Sequence, residues 1–151
     1  MRVVLDANVV FAGAGWRGEA HGCLVMMARR RITVFATQQI LEELRALVAE
    51  RGRRSKHSPH NLFSWYYSAI KLVEPAPLGK QRSRDAKDDP YLACALAAKA
   101  KLIVTRDDGL LAMLRQIDRR AAYHCYSCFL RHSLRETLLD YSTGKRFKTL
   151  N

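Results

Sequence analysis

Val3-Val4-Leu5-Asp6 near the start and Leu102-Ile103-Val104-Thr105-Arg106-Asp107 far along the chain share one pattern: a short apolar run that ends near an acid. Runs of this length without polar alternation suit strands buried on both faces, as in parallel sheets covered by helices. Ile32-Thr33-Val34-Phe35-Ala36 is a third such run, rich in β-branched residues. Between the runs the period changes to that of helices. Ala20 to Arg29 carries Cys23, Leu24, Met27 and Ala28 on one side, and Ile40, Leu41, Leu44, Leu47 and Val48 form a second amphipathic stripe that Thr37 is placed to cap. Gly52 to Pro59 reads as a basic loop. Asn61 to Ile70 reads as a helix packing through Leu62, Trp65, Tyr66, Ala69 and Ile70, with aromatics that could alternatively stack on bases. Leu72-Val73-Glu74 is a short strand before Pro75, and Asp89-Pro90 opens a helix running to Lys99. Beyond Lys101–Thr105 the pattern gives a short helix at Leu110–Gln116, a strand at Tyr123–Tyr126 and a last helix at Phe129–Leu139. Strand and helix alternate, which predicts an α/β fold with a mainly parallel central sheet flanked by helices.

The chain has 151 residues, with 26 Lys or Arg against 14 Asp or Glu and a formal net charge of +12. A hydrophobic fraction of 48% is enough for a core and excludes wholesale disorder. No apolar run approaches the roughly 20 residues of a membrane span. An acid, Asp6, interrupts the N-terminus before a signal peptide could form, so the expected location is the cytoplasm and no membrane partner is expected. There, reduced thiols are the default. Cys23 and Cys94 read as small core residues. Cys125-x-x-Cys128 lacks a second ligand pair at zinc spacing, with only His124 and His132 nearby. The basic residues cluster at Arg29–Arg31, at Arg51, Arg53, Arg54 and Lys56, at Lys80, Arg82 and Arg84, and at Lys145, Arg146 and Lys148. Such a surface attracts polyanions, nucleic acid first. A solvated basic surface or an acidic protein partner fits the same charge.

Against this basic background the placement of the acids is informative. Asp6 closes the first strand, and Asp107 and Asp108 follow the Leu102–Val104 strand. Ligands of open parallel sheets gather at the carboxyl ends of strands. Asp88 and Asp89 begin a helix, and in a strand–helix–strand unit helix starts lie at that same rim. On the helix after the second strand, Glu42 points away from the apolar stripe and Glu43 sits on its flank, at about 100° per residue. Glu43 is therefore the acid that leans toward the rim. Each has an ordinary reading too: Asp89 as an N-cap, Asp107 and Asp108 in a turn, Asp6 capping through Asn8, Glu43 in a surface ion pair. Converging carboxylates repel unless a cation sits among them, and with oxygen ligands and no matching His that cation is Mg²⁺ or Mn²⁺.

At these residues the chain resembles the PIN domain family of metal-dependent nucleases, and more narrowly the bacterial branch of toxins from toxin–antitoxin pairs. Val3-Val4-Leu5-Asp6-Ala7-Asn8-Val9 matches the opening strand and first acid. Glu43-Leu44 matches the second acid, Asp89 within Arg84 to Ala97 the third, and Ile103-Val104-Thr105-Arg106-Asp107 the fourth. The resemblance runs from about Arg2 to Leu114; Tyr126-Ser127-Cys128-Phe129-Leu130 stands where the family has its last strand and helix. It implies a PIN-like three-layer domain over 1–130, followed at 131–151 by a C-terminal helix and basic tail. It also implies an endoribonuclease acting on single-stranded RNA through Mg²⁺ or Mn²⁺ held by Asp6, Glu43, Asp89 and Asp107. Asn8, Thr105, Asp85, Asp88 and Asp108 would support those acids, and Arg51, Arg53, Arg54, Lys56 and Arg106 would hold RNA. A homodimer and a cognate antitoxin protein are the implied partners. Two other functions stay open: a non-catalytic nucleic-acid or partner-binding domain of the same fold, and a phosphohydrolase with Asp6 as nucleophile. Against the latter, the usual second Asp of such enzymes is Asn8 here.

Overall fold

A computed structural model describes residues 1–16, 18–51, 59–79, 86–100, 102–107 and 124–125. The elements are β1 (Arg2–Leu5), α1 (Ala7–Gly15), α2 (Glu19–Ala28), β2 (Thr33–Ala36), α3 (Gln38–Arg51), α4 (Pro59–Ala69), β3 (Lys71–Leu72), α5 (Asp89–Ala98), β4 (Leu102–Thr105) and β5 (His124–Cys125). The strands form one sheet in the order β3-β2-β1-β4-β5, and every pairing is parallel. The α/β architecture read from the sequence is the one the chain adopts. Val3, Val4 and Leu5 of β1 and Val104 of β4 are completely buried, because helices cover both faces of the sheet.

β1 is the strand from which the chain builds outward in both directions, to β2 and β3 on one side and to β4 and β5 on the other. The β1–β4 boundary is thus a topological switch point, where helices leave the sheet on opposite sides and a crevice opens beyond the strand ends. Leu5 pairs in register with Val104, and the Asp6 N–H donates to the Val104 carbonyl at 3.0 Å. That register sets Asp6 beside Thr105 at the mouth of the crevice.

Several local expectations are corrected. Helix α1 escaped the sequence pattern because it has no polar face to reveal a period: Ala7, Val9, Val10 and Gly13 are buried. Its two valines and two glycines are also poor helix formers. Thr37 precedes α3 and its carbonyl accepts from Leu41 N–H at 3.2 Å, but its buried hydroxyl makes no hydrogen bond, so the side-chain cap does not form. Among the described side chains of α4 only Tyr66 is fully buried; Trp65 and Ala69, expected in the core, are exposed. The strand expected at Leu72–Glu74 lies at Lys71–Leu72. Cys23 and Cys94 are buried free thiols, as expected, and burial pushes both up to about 12. Among the described residues no helix is long and apolar enough to cross a membrane.

Gly13 shows how tightly α1 meets α2. A Cβ there would stand 2.6 Å from the Ala20 carbonyl oxygen and 2.9 Å from its carbon. These are backbone atoms, so the helices must separate to admit a methyl group. Gly13→Ala should therefore destabilise by about 1–3 kcal/mol, read by denaturant unfolding, despite the better helix propensity of Ala. Unchanged or increased stability would contradict the close α1–α2 contact.

The predicted helices at Leu110–Gln116 and Phe129–Leu139, Cys128, Asp85, Asp108, the 52–58 loop with Arg53, Arg54 and Lys56, the Lys80–Arg84 and Lys145–Lys148 clusters, and the tail lie outside the described residues.

Candidate active site

Asp6 is 4% exposed and holds the position between β1 and α1. Its extended backbone makes it the N-cap of α1, and Oδ1 accepts from the Asn8 backbone N–H at 2.8 Å and from Asn8 Nδ2 at 3.3 Å. Oδ2 accepts from the Thr105 hydroxyl at 2.5 Å. The same hydroxyl oxygen accepts the Asp107 backbone N–H at 2.9 Å. The ends of β1 and β4 are thus tied by one line of hydrogen bonds, Asp107 to Thr105 to Asp6. The capping interpretation of Asp6 is real and does not compete with a second role: the carboxylate is fixed at the crevice by its cap.

Glu43 approaches from α3. It is half-buried, whereas Glu42 is exposed and takes a hydrogen bond from Gln38 Nε2 at 3.2 Å. The flank position deduced for Glu43 is where the structure has it. Its Oε2 accepts from the Tyr91 hydroxyl at 2.8 Å, and that hydroxyl in turn accepts the Ala7 N–H at 3.2 Å. Tyr91 therefore bridges the start of α1 to the acid on α3. Nothing in the sequence alone assigns Tyr91 a role; its place within one turn of the rim end of α5 was the available signal. Burial holds its phenol above the ordinary range, so it remains a neutral donor.

Asp88 and Asp89 open α5. The cap position belongs to Asp88, whose side chain makes no capping bond, and Asp89 is the first helical residue ahead of Pro90. Asp88 stands near enough to Glu43 to act on it electrostatically. Desolvation chiefly raises the proton affinity of Glu43, the Tyr91 hydrogen bond lowers it, and the charges of Asp6 and Asp88 raise it further. Asp107 is exposed and joins the network through its backbone; Arg106 is exposed beside it. The structure thus gathers Asp6, Asn8, Glu43, Asp88, Tyr91 and Thr105 at one end of the sheet, with Asp89 and Asp107 on the elements that frame it.

The sequence profile of the PIN domain matches residues 2–109, which take in every one of these groups. The chain belongs to the PIN domain family. PIN domains are generally nucleases, and such nucleases generally use divalent metals. The crystal structure of PAE2754 from Pyrobaculum aerophilum has a similar fold, with a TM-score of 0.60 at 17% identity over 89% of this chain and 90% of that one. No curated protein matches the chain.

Among the described residues, no three His, Cys, Asp or Glu side chains stand close enough to hold a metal ion by themselves. The donor set still fits a hard cation. All of its members are carboxylates, and Mg²⁺ keeps several waters and is commonly bound through one or two carboxylates. Asp6 and Glu43 are the two carboxylates of that set held in place by the hydrogen bonds described above.

The raised proton affinity of Glu43 makes a pH-dependent prediction. A folded-state pKa above the ordinary value of 4.5 favours folding while the group is protonated, and that contribution is lost as pH rises through the raised pKa. Glu43→Gln removes the charge and keeps an oxygen for the Tyr91 hydroxyl. In chelator, its melting temperature should match wild type at low pH and exceed it by about 1–3 °C at neutral pH. A variant less stable than wild type at neutral pH would show that Glu43 is not under electrostatic strain.

Proposed function

We propose that this PIN domain is a metal-dependent endoribonuclease that cleaves single-stranded RNA. The observation that carries the reading is the pair of oriented carboxylates, Asp6 and Glu43, at the sheet's switch point on a strongly basic chain. Asp6 and Glu43 would hold one or two Mg²⁺ or Mn²⁺ ions, with Asp89 and Asp107 contributing directly or through water. A bound ion supplies activation of water near neutral pH and offsets charge on the phosphate and leaving oxygen. The protein's own groups set the geometry. Thr105 and Asn8 donate to the two oxygens of Asp6 and leave it little freedom to rotate. Tyr91 fixes Glu43. Asp88 adds negative potential, and Asp85 and Asp108 are assigned the same role. Metal and proton compete for Glu43, so metal affinity rises with pH.

Arg51, at the end of α3, with Arg53, Arg54, Lys56 and Arg106 would hold the RNA backbone. Each phosphate neutralised contributes about −0.7 to the slope of log K against log salt for a single strand. If the 51–56 cluster makes about three such contacts, replacing Arg51, Arg53, Arg54 and Lys56 with Ser should flatten the slope by roughly 2 units. It should also weaken binding evenly across sequences. An unchanged slope would return the cluster to solvated surface; retained RNA binding with loss of an acidic protein partner would assign it to inhibitor recognition.

The biological part of the proposal is that the chain is the toxin of a toxin–antitoxin pair, acts as a homodimer in the cytoplasm and is inhibited by a cognate antitoxin. Its expression should then arrest growth in an Asp6-dependent manner.

The test of the activity is incubation of purified protein with single-stranded RNA in Mn²⁺, in Mg²⁺ and in chelator, beside Asp6→Asn. Cleavage with metal only, and by wild type only, is the expected result. Binding without cleavage under all three conditions would favour a non-catalytic nucleic-acid domain. Trapping of an aspartyl-phosphate on Asp6 would favour the phosphohydrolase.

A further inference from the structure

Adjacent residues on a helix face directions about 100° apart. Glu43 faces the rim, so Glu42, one residue earlier, faces the neighbouring surface of α3. There α3 and α4 enclose a groove of about 410 Å³, within the size range of small-ligand sites. Its walls include Gln38, Glu42 and Arg45 from α3 and Phe63, Ser64 and Tyr67 from α4.

The groove has two kinds of surface. One is a stack: the Arg45 guanidinium lies 4.9 Å from the centre of the Phe63 ring, and Phe63 and Tyr67 stack with centres 6.3 Å apart at 22°. Phe63 is half-buried and gives the stack a fixed base, while Tyr67 is 53% exposed and extends it into the open. The other is polar: the Glu42 carboxylate, held by Gln38, is an acceptor, and Gln38 and Ser64 add further hydrogen-bonding groups. A flat π-surface beside a cation and a small polar set is suited to a planar heteroaromatic ring with amino and carbonyl groups on its edge. A chain with a net charge of +12 concentrates polyanions at its surface, so the available ring of that kind is a base of nucleic acid.

We propose that the α3–α4 groove is a subsite for one unpaired base of single-stranded RNA, stacked on Tyr67 and flanking the Glu43 side of the rim. It deepens the ribonuclease reading, since it assigns the rim and the groove to one strand. The groove contributes stacking, and the basic clusters contribute charge. Base stacking is tolerant of base identity, and the acceptor Glu42 adds a preference for bases bearing an exocyclic amino group.

Binding is measured with Asp6→Asn protein in chelator, so that the result does not depend on cleavage, metal or the nuclease reading. The probes are a short oligoadenylate and an abasic oligonucleotide of the same length. Tyr67→Ala should weaken oligoadenylate binding by about five- to hundred-fold, and Tyr67→Phe should retain wild-type binding, because stacking needs the ring and not the hydroxyl. The salt slope should not change, since no phosphate contact is lost. Both proteins should bind the abasic strand equally. Equal oligoadenylate affinity of Tyr67→Ala and wild type would overturn the proposal, as would an equal loss on the abasic strand. A change of oligomeric state with unaltered RNA affinity would also overturn it, in favour of a protein contact at the groove. Matching melting curves of the variants establish that the differences are local.

Discussion

Asp6→Asn should lower the single-turnover rate of RNA cleavage at saturating Mn²⁺ by well over about 100-fold, while the protein stays folded. Changes to groups that merely orient metal ligands cost about 10- to 100-fold, and a ligand itself should cost more. The fold should survive because an Asn oxygen still accepts from the Asn8 N–H and keeps the cap of α1. Its amide, however, meets the Thr105 hydroxyl, which is 0% exposed and already accepts the Asp107 N–H. Whatever Coulomb relief the substitution brings is offset by that mismatch. Melting in chelator should thus stay within a few degrees of wild type, and it is Glu43→Gln, not Asp6→Asn, that reports the cost of holding a charged acid at the rim, burial first and repulsion second. A rate within about tenfold of wild type would remove Asp6 from the reaction.

Tyr91→Phe should be nearly as informative, although it removes no charge and one atom. The Tyr91 side chain is 3% exposed, and its oxygen serves two partners at once. Ala7 N–H belongs to the first turn of α1, where backbone donors lack intrahelical acceptors, and loss of its phenolic partner leaves it buried and unpaired. Such a loss costs about 1–3 kcal/mol, equivalent to about 2–12 °C in this size of domain. Glu43 loses its positioning donor at the same time, so Mn²⁺ affinity should fall by about tenfold or more. The two effects are separable. In the Glu43→Gln background, Tyr91→Phe should still lower the melting temperature, but should subtract little further from metal affinity. Full additivity in metal affinity would mean that Tyr91 acts on stability alone.

The fold and the site differ in how much of them is visible in the chain. Strands β1, β2 and β4 are legible because burial on both faces demands uninterrupted apolar residues, and Val3, Val4, Leu5 and Leu102 to Val104 satisfy that demand. The choice of Glu43 over Glu42 is legible because the α3 stripe fixes helix phase; Ile40, Leu41, Leu44 and Val48 are all buried. α1 is not legible, since its partly open side carries Phe11, Ala12 and Gly15 where a polar face would have shown the period. Nor is the role of Tyr91. An aromatic residue on an apolar helix gives no sign of whether its hydroxyl will find partners, and both of this one's lie far away in sequence, at Ala7 and Glu43. The exposure of Trp65 and Tyr67 was equally hidden: α4 carries aromatics around much of its surface, and only its docking through Tyr66 decides which remain outside.

We take the end of the sheet to be a metal site built on Asp6 and Glu43. Calorimetric titration of Mn²⁺ into chelator-stripped protein at neutral pH tests it without RNA. Wild type should bind Mn²⁺, and Asp6→Asn and Glu43→Gln should each weaken binding by more than about tenfold, with Glu50→Gln at the far end of α3 as an unaffected control. Equal Mn²⁺ affinity in wild type and both rim variants would mean that the rim acids do not hold the metal.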